Sequence, residues 1–154
     1  MFRTRLAAIV ALSLLFSACS ADSLPTGPDI ASATFATALG VNIPASTKTA
    51  SGLYYRDIAA GSGATVVSGQ KLVVRYTGWL INGTQFDSNQ TGFGPFTIGT
   101  GEVISGWDQG IVGMKVGGTR QLIIPPALAY GATAKGNIPG YSILVFNVTV
   151  ISAQ

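Results

Sequence analysis

The chain has 154 residues, a length that suits one folded domain with a short extension. Nine Lys and Arg against six Asp and Glu give a formal net charge of +3, and hydrophobic residues make up 47% of the chain. Because there is no histidine and only one cysteine, the composition excludes a serine–histidine or cysteine–histidine nucleophile and a zinc site with the usual ligands.

Residues 1–18 have the pattern of a secretory signal peptide. Arg3 and Arg5 precede an apolar run over residues 6–18, which is too short to span a bilayer as a stable helix. Removal of these two arginines leaves seven Lys and Arg against six Asp and Glu, a net charge of +1. Since no basic patch remains, we expect no nucleic-acid partner.

The cysteine lies where the apolar run ends. Ser17-Ala18-Cys19 resembles the bacterial lipobox, in which the cysteine becomes lipidated, although Phe16 replaces the usual aliphatic residue. We therefore expect an extracytoplasmic protein that is lipid-anchored to a bacterial membrane through Cys19. Ser20, in place of Asp, favours the outer membrane, with the protein facing the periplasm. The alternative is ordinary cleavage, for example after Ala21, which would discard Cys19.

Residues 19–50 are interpreted as a lipidated N terminus and a flexible tether. From residue 20 onward they are rich in Ala, Ser, Thr and Pro, and no clear strand or helix period is visible. Residues 30–39 could form a loose helical turn or two. This composition is typical of a linker between an anchor and a folded domain.

Residues 51–154 have the pattern of one domain built mainly from strands. Short apolar runs separated by glycines predict strands at residues 53–58, 71–76, 121–124 and 142–151. In the last run, one alternating set is uniformly apolar and is predicted to face the core: Leu144, Phe146, Val148 and Val150. Asn82-Gly83 predicts a tight turn between two strands.

One helix is predicted, around residues 104–111. Ile104, Trp107 and Ile111 share a helical face, Ser105 is a candidate N-cap, and Gly110 indicates that the helix is short. The expected fold class is therefore α+β, with an antiparallel sheet folded over one short helix.

Elimination narrows the chemistry of this domain. The carboxylates are scattered, and the glycine-rich stretches match neither a phosphate-binding loop nor a dinucleotide fingerprint, so we expect no metal and no cofactor. What remains is a surface rich in aromatic and aliphatic residues. Such a surface can bind an apolar group and catalyse a reaction that needs no strong nucleophile or base.

Six motifs in residues 51–154 resemble the FK506-binding type of peptidyl-prolyl cis–trans isomerase in order and spacing. They are Val74 to Leu80, Gly83 to Ser88, Gly94-Pro95-Phe96, Val103 to Gly110, Ile123 to Pro126 with Ala129-Tyr130-Gly131, and Leu144-Val145-Phe146. The resemblance implies a twisted antiparallel sheet wrapped around one short helix, with an apolar pocket for the substrate proline.

The resemblance also assigns the site. Trp107 would form the floor of the pocket, Asp87 and Tyr130 would supply polar groups at its rim, and the N–H of Ile104 would bind a peptide carbonyl. The expected catalytic residues are Phe86, Asp87, Ile104, Trp107 and Tyr130. The expected substrate-binding residues are Tyr76, Phe86, Asp87, Phe96, Val103, Ile104, Trp107, Tyr130, Ile138 and Phe146. Without the motifs, each aromatic residue here would be interpreted as core packing.

The match is weakest at residues 132–141. Lys135 and Asn137 replace the usual histidine-containing tip of this loop, while Ile138 takes the position of the loop isoleucine. This departure leaves open the sequence preference and the affinity for FK506 or rapamycin.

The expected function is isomerisation of X–Pro bonds in exported proteins, with proline-containing segments of unfolded chains as partners. The sequence leaves the oligomeric state open. One alternative is a catalytically weak peptide-binding or chaperone lipoprotein of the same fold. A second is a surface-displayed lipoprotein for host or matrix contact, in which catalysis is incidental.

Overall fold

The structure, a computed structural model, describes residues 27–154; the predicted signal peptide and Cys19 lie outside the described residues. The strands are β1 (Thr47–Lys48), β2 (Tyr54–Ala59), β3 (Lys71–Leu80), β4 (Gln85–Thr97), β5 (Thr119–Ile124) and β6 (Leu144–Ala153). The helix α1 is Ser105–Gly110, and short 3-10 turns lie at Thr37–Leu39, Ile43–Ala45 and Pro126–Leu128. No helix in residues 27–154 is both long enough and apolar enough to cross a membrane.

The strands form one antiparallel sheet in the order β1-β2-β5-β6-β3-β4, with α1 packed against it. The predicted α+β class is confirmed, and each predicted strand run falls on an observed strand. β6 lies between β5 and β3, so the last strand of the chain is central to the sheet. Its alternating residues Leu144, Phe146, Val148 and Val150 are all buried in the main core, as their pattern predicted.

The turn at Asn82-Gly83 joins β3 to β4. The Leu80 N–H donates to the Thr84 carbonyl at 2.9 Å, and the Gly83 N–H donates to the Leu80 carbonyl at 2.9 Å. Gly83 has a φ of +90°, a conformation that side chains disfavour. The predicted tight turn is therefore confirmed, and it brings the start of β4 next to the end of β3.

Two glycines set the distance between α1 and β5. A Cβ added at Gly106 would lie 2.5 Å from Cγ2 of Ile124, and one at Gly110 would lie 2.6 Å from Cδ2 of Leu122. The helix can therefore approach the sheet only because both positions lack a side chain. Ser105, predicted as the N-cap, is instead the first helical residue: Ile104 occupies the cap position, and no side chain caps the helix.

Arg120 on β5 ties three elements together. Its buried guanidinium donates to both oxygens of Asp57 on β2, at 2.6 and 3.1 Å, and to the carbonyl of Gly110 at the end of α1, at 2.9 Å. It also stacks 4.4 Å from the ring centroid of Tyr55. Because a buried cation needs several partners, this arrangement fixes the end of α1 against β2 and β5.

Residues 29–46, here called the N-terminal strap, pack on the face of the sheet opposite α1. Ile30 and Leu39 are buried there against Tyr54, Ile123 and Val145. The prediction of a flexible tether over residues 19–50 is therefore corrected for this part of it. The strap's apolar residues are separated by small ones at irregular spacing, and such spacing gives no periodic signal in the sequence.

Hydrogen bonds also join the strap to the sheet. The Ala36 N–H donates to the carbonyl of Ile81 at 2.8 Å, and the side-chain amide of buried Gln121 donates to the carbonyl of Leu39 at 2.8 Å. The Arg56 guanidinium donates to the carbonyl of Gly40 at 2.8 Å. The strap thus supplies a partner to a buried polar side chain of the sheet as well as apolar cover.

Candidate active site

A cavity of about 440 Å³, here called the active cavity, opens between the sheet, α1 and the segment that follows β5. Its lining is mostly aromatic and aliphatic, with a few polar groups. The lining residues are Tyr76, Phe86, Asp87, Phe93, Glu102, Val103, Ile104, Trp107, Ala129, Tyr130, Lys135 and Phe146.

Trp107 lies at the base of this cavity. It is the third residue of α1 and is 4% exposed. Four neighbouring rings surround its indole. The centroids of Tyr76, Phe146 and Phe93 lie 5.0, 5.4 and 6.1 Å away, all edge-on, and that of Phe96 lies 6.0 Å away. Edge-to-face contacts at these distances are favourable, so the indole is held in one orientation.

The wall formed by β4 and β6 depends on a glycine in β3. Phe86 and Phe146 meet edge-to-face, with centroids 5.4 Å apart. A Cβ added at Gly78 would lie 2.6 Å from the Phe146 ring and 2.7 Å from the Phe86 ring. Gly78 therefore leaves the space in which these two rings pack.

Asp87 is oriented by two donors. The hydroxyl of Tyr76 donates to its Oδ2 at 2.7 Å, and the backbone N–H of Ser88 donates to its Oδ1 at 2.8 Å. Burial, together with the hydrogen bond to Asp87 and the negative charge of that carboxylate, raises the pKa of Tyr76 well above its usual value. The phenol therefore stays protonated and remains a donor to Asp87 at any ordinary pH.

Several donors of the cavity lining have no protein acceptor among residues 27–154, among them the hydroxyl of Tyr130 and the backbone N–H of Ile104. The buried indole N–H of Trp107 also has none. Burial, and then the charge of Asp87, raises the pKa of Tyr130, so its hydroxyl also keeps its proton. The hydroxyl of Tyr130 and the N–H of Ile104 are thus available to a carbonyl of a bound ligand.

The structure brings eight of the predicted site residues together in the active cavity: Tyr76, Phe86, Asp87, Val103, Ile104, Trp107, Tyr130 and Phe146. Phe96 is not among the residues that line the cavity; it is buried behind the lining, with its ring 6.0 Å from that of Trp107. Ile138 lines an adjoining cavity, which it shares with Phe86, Asp87 and Tyr130.

Phe93 is a lining residue that the sequence analysis missed. Its side chain is 38% exposed, and its ring lies 6.1 Å from Trp107 and 5.6 Å from Tyr76. The only signal for it was an aromatic residue three positions before Phe96, in a stretch without apolar alternation. Glu102, Ala129 and Lys135 were also not predicted as site residues.

Nothing in the described part of the chain forms a metal centre. No group of three or more His, Cys, Asp and Glu side chains that could hold a metal ion occurs in residues 27–154. The site therefore has an apolar cavity, the oriented carboxylate of Asp87 and open hydrogen-bond donors with which to act on a ligand.

Comparison with known proteins agrees with this arrangement. The sequence model of the family described as FKBP-type peptidyl-prolyl cis-trans isomerase matches residues 63–151. An FK506-binding protein from Neisseria meningitidis serogroup B is 47% identical over 103 residues, which cover 65% of this chain and 94% of that protein. FK506-binding protein 4 from Chaetomium thermophilum is 48% identical over 109 residues, but these cover 70% of this chain and only 22% of that protein.

A solved structure leads to the same family. The crystal structure of a peptidyl-prolyl cis-trans isomerase from Pseudomonas syringae pv. tomato is 30% identical, with a TM-score of 0.65 over 72% of this chain and 82% of that one. The family match covers more than half of the chain, and the cavity lies within it. The chain therefore belongs to the FKBP-type peptidyl-prolyl cis–trans isomerase family.

Proposed function

We propose that the active cavity binds proline-containing segments of exported proteins and accelerates rotation about their X–Pro bonds. The observation that carries this proposal is the combination of an aromatic cavity with the open donors Tyr130 Oη and the Ile104 N–H, in a domain without histidine or cysteine. A reaction that forms no covalent intermediate and moves no proton suits these groups.

The physical argument starts from the amide bond. Resonance gives a barrier of roughly 18–20 kcal/mol to its rotation, and the X–Pro bond populates both isomers. The planar amide is more dipolar than the twisted amide, so water stabilises the ground state. An apolar cavity removes that solvation and favours the twisted form. Since each factor of ten in rate requires only about 1.4 kcal/mol, a few contacts are enough.

Different residues of the cavity bind the proline ring and the peptide carbonyls. The pyrrolidine ring packs on Trp107 between Phe86 and Phe146, and the open donors of Tyr130 and Ile104 bind peptide carbonyls. One side of the bond is then held while the other side rotates. Asp87, held by Tyr76, places a fixed negative charge at the edge of the cavity.

The test is an isomerisation assay of the full chain with short Leu-Pro and Phe-Pro peptides. NMR exchange measurements give the rate of cis–trans interconversion. We expect rates well above the spontaneous one, and a reduction when FK506 or rapamycin fills the cavity. Val67→Ala, at a side chain 54% exposed and outside the cavities, should retain full activity. A rate equal to the spontaneous one, with suppression of client aggregation retained, would favour a peptide-binding protein of the same fold.

We also propose that the chain is anchored through a lipid on Cys19, on the periplasmic face of the outer membrane. The support is the signal-like run over residues 1–18 with Ser17-Ala18-Cys19 and Ser20 at its end. Gly27 follows Cys19 by eight positions. At about 3.5 Å per residue, the described domain would then begin within about 28 Å of the lipid.

Mass spectrometry of the mature N terminus tests the anchor. We expect Cys19 to be the first residue and to carry a diacylglycerol group, and Cys19→Ala to release the chain from the membrane fraction. An unmodified chain that starts at Asp22 would contradict the proposal.

A further inference from the structure

A second depression of about 320 Å³, here called the adjoining cavity, lies beside the active cavity. Its outer wall is the loop tip at residues 135–138, where the Lys135 N–H donates to the Ile138 carbonyl at 2.9 Å and the Ile138 N–H donates to the Lys135 carbonyl at 3.0 Å. The two cavities share Phe86, Asp87, Tyr130 and Lys135. A peptide whose proline occupies the active cavity can therefore place a neighbouring side chain in the adjoining one.

Lys135 supplies the cation of this second cavity. Its ammonium lies 4.7 Å from the ring centroid of Tyr130, an arrangement that positions the charge over the aromatic face. The residue is exposed, and the single ion pair found within residues 27–154 joins Arg120 to Asp57. The ammonium is therefore positioned but is not neutralised by a carboxylate of the described chain.

The two nearby carboxylates, Asp87 and Glu102, are held by hydrogen bonds and form no ion pair with Lys135. Each oxygen of Asp87 already accepts a hydrogen bond, from Tyr76 and from Ser88. Glu102 lines the active cavity but not the adjoining one, and it accepts a hydrogen bond from the Thr97 N–H at 2.9 Å. An incoming side chain in the adjoining cavity thus meets two charges, the Asp87 carboxylate, which protein donors hold, and the Lys135 ammonium, which has no carboxylate partner among the described residues.

We propose that the adjoining cavity receives the side chain next to the substrate proline and that Lys135 selects an acidic one. The inference rests on the proposed function, because it requires a proline segment in the active cavity. Lys135 acts here as a specificity-determining residue, and it takes no part in the rotation itself.

The size of the effect follows from the exposure of the pair. Ion pairs near solvent change equilibria by modest amounts, so we expect a preference of roughly two- to fivefold for Glu over Gln beside the proline. Lys at the same peptide position should be disfavoured by a similar factor. The preference should shrink at 1 M salt, where the Debye length falls to about 3 Å from about 10 Å at 0.1 M.

The experiment measures kcat/KM of the full chain for matched peptides with Glu, Gln or Lys immediately before or immediately after proline. In Lys135→Gln, the kcat/KM values of the Glu and Lys peptides should become equal. In Lys135→Glu, the Lys peptide should have the higher kcat/KM. The matched control is Lys48→Gln, since Lys48 also lies over a tyrosine ring, 5.4 Å from the centroid of Tyr54, but outside both cavities. This control should leave the ratio unchanged.

The outcomes separate the inference from the function it rests on. If the Gln peptides are turned over but no charge preference is found at either position, the role of Lys135 is overturned while the isomerase function stands. The same holds if the preference survives in Lys135→Gln. If no peptide is turned over, the function fails. In that case calorimetry gives the dissociation constants of the same peptides for Lys135→Gln and Lys135→Glu. These constants decide whether Lys135 still selects acidic ligands.

Discussion

Tyr130 and Asp87 show how single residues set the chemistry of this site. Asp87 has both oxygens occupied by protein donors, whereas the hydroxyl of Tyr130 has no protein acceptor among the described residues. A group that is satisfied within the protein positions its neighbours, and a group that is open can bind substrate. We therefore propose that Tyr130 contacts the substrate and that Asp87 supplies a fixed local charge.

Replacement of Tyr130 by Phe should lower kcat/KM by roughly two- to tenfold, because one hydrogen bond to the substrate carbonyl is lost while the ring remains. The measurement is the peptide isomerisation assay at low substrate. Tyr141→Phe is the matched control, since that tyrosine is 40% exposed and lines neither cavity. Equal losses in both variants would show that Tyr130 does not contact the substrate.

Activity should be nearly independent of pH between about pH 6 and pH 9, because the chain has no histidine to titrate in that range. Both tyrosines of the site have a raised pKa, so each phenol remains a protonated donor through this window and beyond the usual tyrosine pKa. The check is kcat/KM in constant-ionic-strength buffers. A bell-shaped profile centred near neutral pH would show that an unassigned acid or base takes part.

At the scale of single elements, α1 shows why a weak helix former can be required. Gly110 lowers helix propensity, and the sequence predicted a short helix for that reason. The structure adds a packing role, since Gly106 and Gly110 face Ile124 and Leu122 at distances that leave no room for a side chain. The glycines therefore lower the stability of the helix, but they allow the close approach to β5 that places Trp107 at the base of the cavity.

Gly106→Ala should lower the free energy of unfolding by about 1–3 kcal/mol, because the new methyl group overlaps the Ile124 side chain. It should also lower activity, since α1 and its Trp107 must move away from β5. Denaturant unfolding and the peptide assay measure the two effects.

The neighbouring substitution Ser105→Ala is the control for this helix. Ser105 is exposed and its side chain makes no capping hydrogen bond, so the free energy of unfolding should change little. A large loss at Ser105, or none at Gly106, would contradict the packing assigned to α1.

At the scale of the whole molecule, the N-terminal strap turns a one-sided sheet into a sheet covered on both faces. α1 and the main core cover one face, and the strap covers part of the other. This explains why Ile143, just before β6, and Val145, on β6, are buried although they alternate with the core residues. A fragment that begins at Ser51 would expose these side chains and remove the Leu39 carbonyl from Gln121.

Ile30→Ala should lower the free energy of unfolding by about 2–5 kcal/mol, the range for removing most of a buried aliphatic side chain. Ile30 is only 3% exposed and belongs to the strap cluster. Thr34→Ala, at an exposed strap position, should change stability by less than about 0.5 kcal/mol. Chemical denaturation of the full chain compares the two; equal stabilities would mean that the strap contributes no packing.

Several features could be derived from the sequence because their signal is local. The alternation in β6, the Asn82-Gly83 turn and the shared face of Ile104, Trp107 and Ile111 each lie within about ten residues and record a local backbone geometry. The absence of histidine likewise restricted the reaction class before any fold was known. The family motifs predicted eight of the residues that line the active cavity in the structure.

The remaining features were decided by contacts between distant parts of the chain. Whether Phe93 or Phe96 faces the active cavity depends on how β4 pairs with β3, where the register shifts three times. The packing of the strap depends on an apolar face formed by β2, β5 and β6, and Lys135 meets Tyr130 only through the fold of its loop. A segment's own residues encode its local conformation, but the surface that it meets is formed by the rest of the chain, so these features required the tertiary structure.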